Sequence, residues 1–219
     1  MSSMRTVLKS QWPDQTKSPP TLGRSALNPS ELFIVDLFQH FVEIINSVER
    51  LRLIAALLGA RPGRSPKVNK ATYLSFLLES YLQELFVLRE RFLLFAKYVK
   101  RKSKRLDPRD ATKLDNLIKL TVTLFERRAR QRSNHVHETR YTTDDISHAQ
   151  GLELIANSPL PKDPIDPAAW RVHADLAYQE TRKRLVKEVR KELEAIEKFQ
   201  NVFFATIQPI LAERICKSG

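Results

Sequence analysis

Three times in this chain an Asn or Asp stands directly before a proline at the head of a long apolar-periodic run: Asn28-Pro29, Asp107-Pro108 and Asp166-Pro167. Each pair is a helix start signal. The short polar side chain accepts bonds from the free N–H groups of the first turn. Proline in that turn gives up a donor the helix leaves unpaired anyway. Behind the first pair, where Asn28 or Ser30 is the cap, apolar residues recur at Leu32, Val35, Phe38, Val42, Ile45 and Val48. They continue through Leu51 to Leu58, and Gly59 is placed to end the run. The helix so predicted spans roughly 30 residues, about 45 Å.

The same reading extends down the chain. Asn69 can cap a second long helix, from about Lys70 to Lys104, whose apolar positions include Tyr73, Phe76, Leu77, Tyr81, Leu85, Leu88, Phe92 and Phe95. Its basic end "KYVKRKSKR" suits the negative end of the helix dipole. The third helix starts at Pro108 and runs to about Arg132, burying Leu114, Leu117, Ile118, Thr121, Leu124 and Phe125. "TTDD", residues 142–145, caps a fourth, shorter helix through Ile146, Ala149, Leu152 and Ile155. "NSPLPKDPIDP" is too proline-rich to be helical and is a linker. The fifth helix carries Trp170, Leu176, Leu185, Val189, Leu193, Ile196 and Phe199, and Pro209 is expected to kink or end it before "ILAERICK".

Only 5 glycines are present, against roughly 15 at average usage, and no period-two pattern survives. The expected fold is all-α: a bundle of about four long antiparallel helices plus one short helix, over residues 28–219. Residues 1–27, rich in Ser, Thr, Pro and Lys, are expected to be a flexible N-terminal arm with Trp12 loosely packed. No stretch is long and charge-free enough to span a membrane, and no apolar signal core opens the chain. Cys216 is the single cysteine, so no internal disulfide forms, which fits a cytoplasmic setting.

The formal net charge is +12, from 37 Lys+Arg against 25 Asp+Glu. Such an excess attracts polyanions, RNA among them. Glycines are too few and scattered for a phosphate loop, and "RPGRSPK" lacks the Walker spacing. No cofactor is expected. Along "ETRKRLVKEVRKELEAIEK" the Glu180–Arg184 and Glu194–Lys198 spacings are ordinary helix-face pairs, so that face reads as mainly solvated.

One stretch departs from the rest: "ERRARQRSNHVHETRYTTDD", residues 126–145, with five arginines and two histidines. A metal site built from His135 and His137 with Glu138, Asp144 or His148 is disfavoured, because the spacing matches no ligand motif and the surroundings are cationic. RNA cleavage without metal suits these residues better. Histidine can take the 2′-hydroxyl proton or protonate the leaving oxygen, and arginine holds a fixed fork of donors to phosphate oxygens. Arg132 and His137 divide the labour this way if the chain bends at Ser133–Asn134 or a second subunit contributes. On a regular helix the two lie about 140° apart. Arg130 with His135, or Arg130 with His137, gives alternative registers. Structural roles, with arginines capping carbonyls and histidines filling polar gaps, account for such a pattern by chance in many proteins.

Arg132-Ser133-Asn134-His135-Val136-His137, set in a helical bundle, resembles the signature of the HEPN superfamily (higher eukaryote and prokaryote nucleotide-binding), in which an Arg is followed after four to six residues by a His. The motif covers six residues and the bundle context about 30–215. The residue after the Arg is commonly Asn, Asp or His in that family; here it is Ser133, with Asn134 one place on. The resemblance implies a metal-independent endoribonuclease with Arg132 and His137 catalytic, at a cleft formed by a homodimer. It implies Ser133, Asn134, His135, Arg130, Glu138 and Tyr141 in support. It further implies a toxin–antitoxin or phage-defence setting, with an antitoxin or other regulatory protein as partner. The alternative is a catalytically silent HEPN-like module that binds RNA or protein. A purely structural assembly protein is the third reading.

Overall fold

The computed structural model describes residues 28–60, 68–102, 107–137, 143–158 and 166–218. For 127–137, Pro167 and 213–218 it describes the course of the backbone alone. Among the described residues five helices follow one another: α1 (Pro29–Gly59), α2 (Lys70–Lys102), α3 (Pro108–His137), α4 (Asp144–Asn157) and α5 (Pro167–Ser218). The fold class is all-α, four long helices and a short one, as expected from the punctuation.

The chain divides into two units, residues 1–36 and 37–219. Within the first, the described part is the opening of α1. There Asn28 Oδ1 accepts from the Ser30 and Glu31 N–H groups at 3.0 and 2.9 Å, and Glu31 Oε2 accepts from Asn28 N–H at 2.8 Å. This reciprocal pair is a capping box, and it settles the cap on Asn28 rather than Ser30.

The second unit is the bundle. Its starts are those the sequence predicts. Asp107 accepts from Arg109 N–H at 2.8 Å, Thr143 from Ile146 N–H at 3.3 Å, and Asp166 from Ala168 N–H at 2.9 Å. α2 packs along α3, α4 along α5, and α2 also meets α4 and α5. An aromatic cluster sits where α1, α2, α3 and α5 converge. The Phe92 ring lies 4.7 Å from Phe203, 5.1 Å from Phe199 and 6.3 Å from Phe125, and Phe41 reaches Phe204 at 5.1 Å. Phe92 and Phe203 are fully buried.

α1 is fixed to this core through polar groups. Arg182 of α5 donates from Nε to the Leu58 carbonyl at 2.8 Å and from its other nitrogen to the Gly59 carbonyl. A cation thereby satisfies carbonyls the helix end leaves open and meets the negative end of its dipole. Between α1 and α2, Arg91 donates to the Glu43 carbonyl at 2.6 Å and to the buried Ser47 hydroxyl at 2.7 Å.

Two expectations change. The face of α1 turned into the bundle is Leu37, Ile44, Val48, Leu51 and Leu58, while Phe38 is 66% exposed. α1 carries apolar residues nearly all round, so periodicity alone left its phase undetermined. Pro209 does not end α5, which runs on to Ser218. Ile207 and Ile210, buried on either side of it, supply packing that offsets the one backbone bond proline forgoes.

Candidate functional site

α3 does not stop near Arg132; it continues as unbroken helix to His137. Nothing in the sequence opposes this, since no Gly or Pro occurs between Pro108 and Gly151 and Ser or Asn alone is only mildly unfavourable inside a helix. Arg130, Arg132, Ser133, Asn134, His135 and His137 therefore all belong to the last turns of α3. A bend at Ser133–Asn134 is not what brings residues 132 and 137 together. Glu138 and Tyr141 lie outside the described residues.

Continuity fixes the helical phase of these positions. Leu114, Leu117, Thr121 and Phe125 form the buried line of α3; Lys119, Thr123 and Glu126 form the exposed line opposite. At about 100° per residue, positions 132 and 135 continue the buried line, whereas 130 and 137 continue the exposed one. Positions 130 and 137 are about 20° apart around the axis, and 132 and 137 about 140°.

Six residues after His137 the chain enters the Thr143 cap, and Asp144 and Asp145 open α4. Their charges suit the positive end of that helix. A cleft of about 640 Å³ lies between α4 and α5. Asp145, His148 and Leu152 form one wall; Trp170, His173, Leu176, Ala177, Glu180 and Arg184 form the other, over the buried Thr181. Arg184 pairs with Asp145 and ties the two helices at one end of the cleft. At the other end the Trp170 and His173 rings stand 6.4 Å apart in an edge arrangement. A second, smaller groove of about 400 Å³ lies along Val68, Thr72, Tyr73, Phe76 and Gln150.

Of the apolar residues carried by the last helix, Trp170 is half-buried on the cleft, and Leu176 is 51% exposed. Arg184, read as the partner of Glu180, reaches across to α4. The usable signal was phase: His173, Glu180 and Arg184 share one line of α5, and an aromatic beside that line belongs to the same surface.

The groups whose titration is clearly moved lie elsewhere. The Asp175 carboxylate at 2.7 Å holds the Lys70 ammonium above its ordinary range, and burial pushes the Tyr178 phenol up. Hydrogen bonding to Glu197 raises Arg52. Among the described residues no group of three or more His, Cys, Asp or Glu is placed to hold a metal ion, and no helix is long and apolar enough to cross a membrane. No family model, curated protein or solved structure matches this chain.

Proposed function

We propose that this chain is a metal-independent endoribonuclease of the HEPN type, acting through His137 and an arginine of the same helix end. His137 takes the proton of a ribose 2′-hydroxyl. The 2′-oxygen attacks the adjacent phosphorus, the 5′-oxygen leaves with a proton from an acid, and a 2′,3′-cyclic phosphate remains. Arginine balances the charge that builds on the phosphoryl oxygens. The acid is supplied by a second His137, from the partner in a homodimer.

The observation that carries this reading is the unbroken helix. It sets positions 130 and 137 on one line of α3, opposite its buried line, so a single phosphate can meet both. Arg132 joins His137 only across two chains. The +12 charge supports an RNA substrate. A toxin or phage-defence role, with an antitoxin holding the enzyme off, follows from the same resemblance. The Ser133 position, where the family commonly has Asn, Asp or His, favours the second reading of a silent module that binds RNA or protein without cutting.

The test is direct. Wild type and His137→Ala are incubated with total RNA in EDTA and the products resolved on a gel. Cleavage by wild type alone, leaving 2′,3′-cyclic ends, supports the proposal. Equal cleavage by the variant removes His137 from the chemistry. Binding by both with cleavage by neither transfers the case to the silent module.

A further inference from the structure

The cleft between α4 and α5 opens onto a line of cations along α5. The geometry points to this cleft as the seat of one unstacked base of single-stranded RNA, with the strand's phosphates following α5 away from it. The inference deepens the proposed ribonuclease by giving its substrate a docking track, and it rests on that reading only for the consequence, not for the binding.

A seat for a base needs a flat apolar face and polar groups at its edge. The half-buried Trp170 offers the face, and Leu152 and Ala177 continue it. Glu180 accepts from an exocyclic amino group, the Asp145–Arg184 pair closes one end, and Thr181 lies at the floor. A volume of about 640 Å³ is within the range that holds small organic ligands.

Charge then changes along the helix. The carboxylates stand at the cleft, where a base accepts them and a phosphate does not. Beyond it Arg184, Lys187 and Lys191 follow at three- and four-residue steps, all exposed. Between 182 and 191 six residues are basic and one, Glu188, is acidic. Arg182 is committed to the α1 carbonyls and Arg184 pairs with Asp145 at the cleft end, which leaves Lys187 and Lys191 as the exposed cations that continue the line beyond that pair. From Arg184 to Lys191 the line is about 10 Å long, more than one phosphate can occupy, so a strand fits it better than a free mononucleotide. A duplex keeps its bases stacked and cannot fill the cleft. Chain length alone holds Asp145 within about 28 Å of His137, eight residues earlier, so one strand can reach both.

The chain has two tryptophans, Trp12 and Trp170, so a Trp12→Phe, His137→Ala protein reports from Trp170 and cannot cut its probe. It is titrated with oligoadenylate of about ten nucleotides and with an abasic ribose-phosphate oligomer of equal length. The expected result is saturable quenching of Trp170 by the first and none by the second. Lys187→Glu with Lys191→Glu weakens binding about tenfold or more and flattens its salt dependence. Trp170→Leu, which removes the reporter and is therefore read by the anisotropy of a dye-labelled oligoadenylate, weakens binding about five- to 150-fold with helicity unchanged by circular dichroism. Absence of quenching, quenching indifferent to the Lys187 and Lys191 changes, or equal binding of an oligoglutamate peptide overturns the inference. Loss of RNA cleavage in wild type does not touch it, because no arm of the titration depends on cutting.

Discussion

Glu153 of α4 caps Ala71 of α2 across the bundle. Its two carboxylate oxygens accept from the Lys70 and Ala71 N–H groups at 3.0 and 2.9 Å, while Asn69 accepts from Thr72 N–H at 3.0 Å. All three first-turn donors of α2 are thereby satisfied, two of them by a residue more than 80 positions away. Ala71 is fully buried, so water cannot replace the lost acceptor there. Glu153→Ala is expected to cost about 1–2 kcal/mol, a fall in Tm of roughly 2–8 °C for a chain of this size. Glu153→Gln, which keeps one acceptor, should lose less. A thermal melt of the three proteins checks the order, and an unchanged Tm in Glu153→Ala would show that the cap contributes nothing.

The division between legible and illegible follows from which terms are local. Asn28, Asn69, Asp107, Thr143 and Asp166 could be found as caps because capping is decided within four residues. Glu153 could not, since nothing in the sequence ties residue 153 to residue 71. The phase of α3 was legible because Leu114, Leu117, Thr121 and Phe125 recur at three- and four-residue steps opposite the polar line of Asn116, Lys119, Thr123 and Glu126. That of α1 was not, because Phe38 and Leu37 are equally apolar and only the partner helices decide between them. α3 runs past the expected end near Arg132 because Ser133 and Asn134 are only mildly unfavourable in a helix, and without Gly or Pro it continues to His137.

The aromatic cluster gives a contrast within one helix. Phe92 is fully buried against Phe125, Phe199 and Phe203, whereas Phe76 is 61% exposed. Phe92→Ala is expected to cost about 3–5 kcal/mol, from lost transfer energy and the cavity left behind. Phe76→Ser should stay within about 0.5 kcal/mol of wild type. Urea unfolding of the two variants measures both. Equal midpoints would mean that the convergence of α1, α2, α3 and α5 is not the core of the bundle.

Alkaline pH should destabilise the fold from about pH 10 upward. Burial raises the Tyr178 phenol above its ordinary 10.0, and the Asp175 hydrogen bond raises Lys70 above its ordinary 10.5. For both groups the folded state holds its proton more tightly than the unfolded chain. Their contribution is therefore constant below the unfolded values and is lost as pH rises through the raised ones. Lys70 is nearly half exposed, so solvent screening makes its share small, and Tyr178 dominates. Tyr178→Phe should flatten the decline in Tm between pH 9.5 and 11, values spanning about the two titrations. An equally steep decline in that variant would place the alkaline sensitivity elsewhere.

The helical phase of α3 makes a sharp claim about which arginine serves His137. Positions 130 and 137 follow one line of the helix, and 132 belongs to the continuation of the buried line with 135. If the proposed chemistry operates within one chain, its expected arginine is therefore Arg130 rather than Arg132. Arg130→Ala is expected to lower RNA cleavage by about 100-fold or more, the usual effect of removing one preorganised donor to a developing oxyanion. Arg132→Ala should lower it less than about tenfold, with both proteins folded. The opposite order is as informative. An inactive Arg132→Ala protein beside an active Arg130→Ala protein would place the pair across two chains, with the angle of about 140° between positions 132 and 137 bridged by the dimer axis rather than by a bend in the helix.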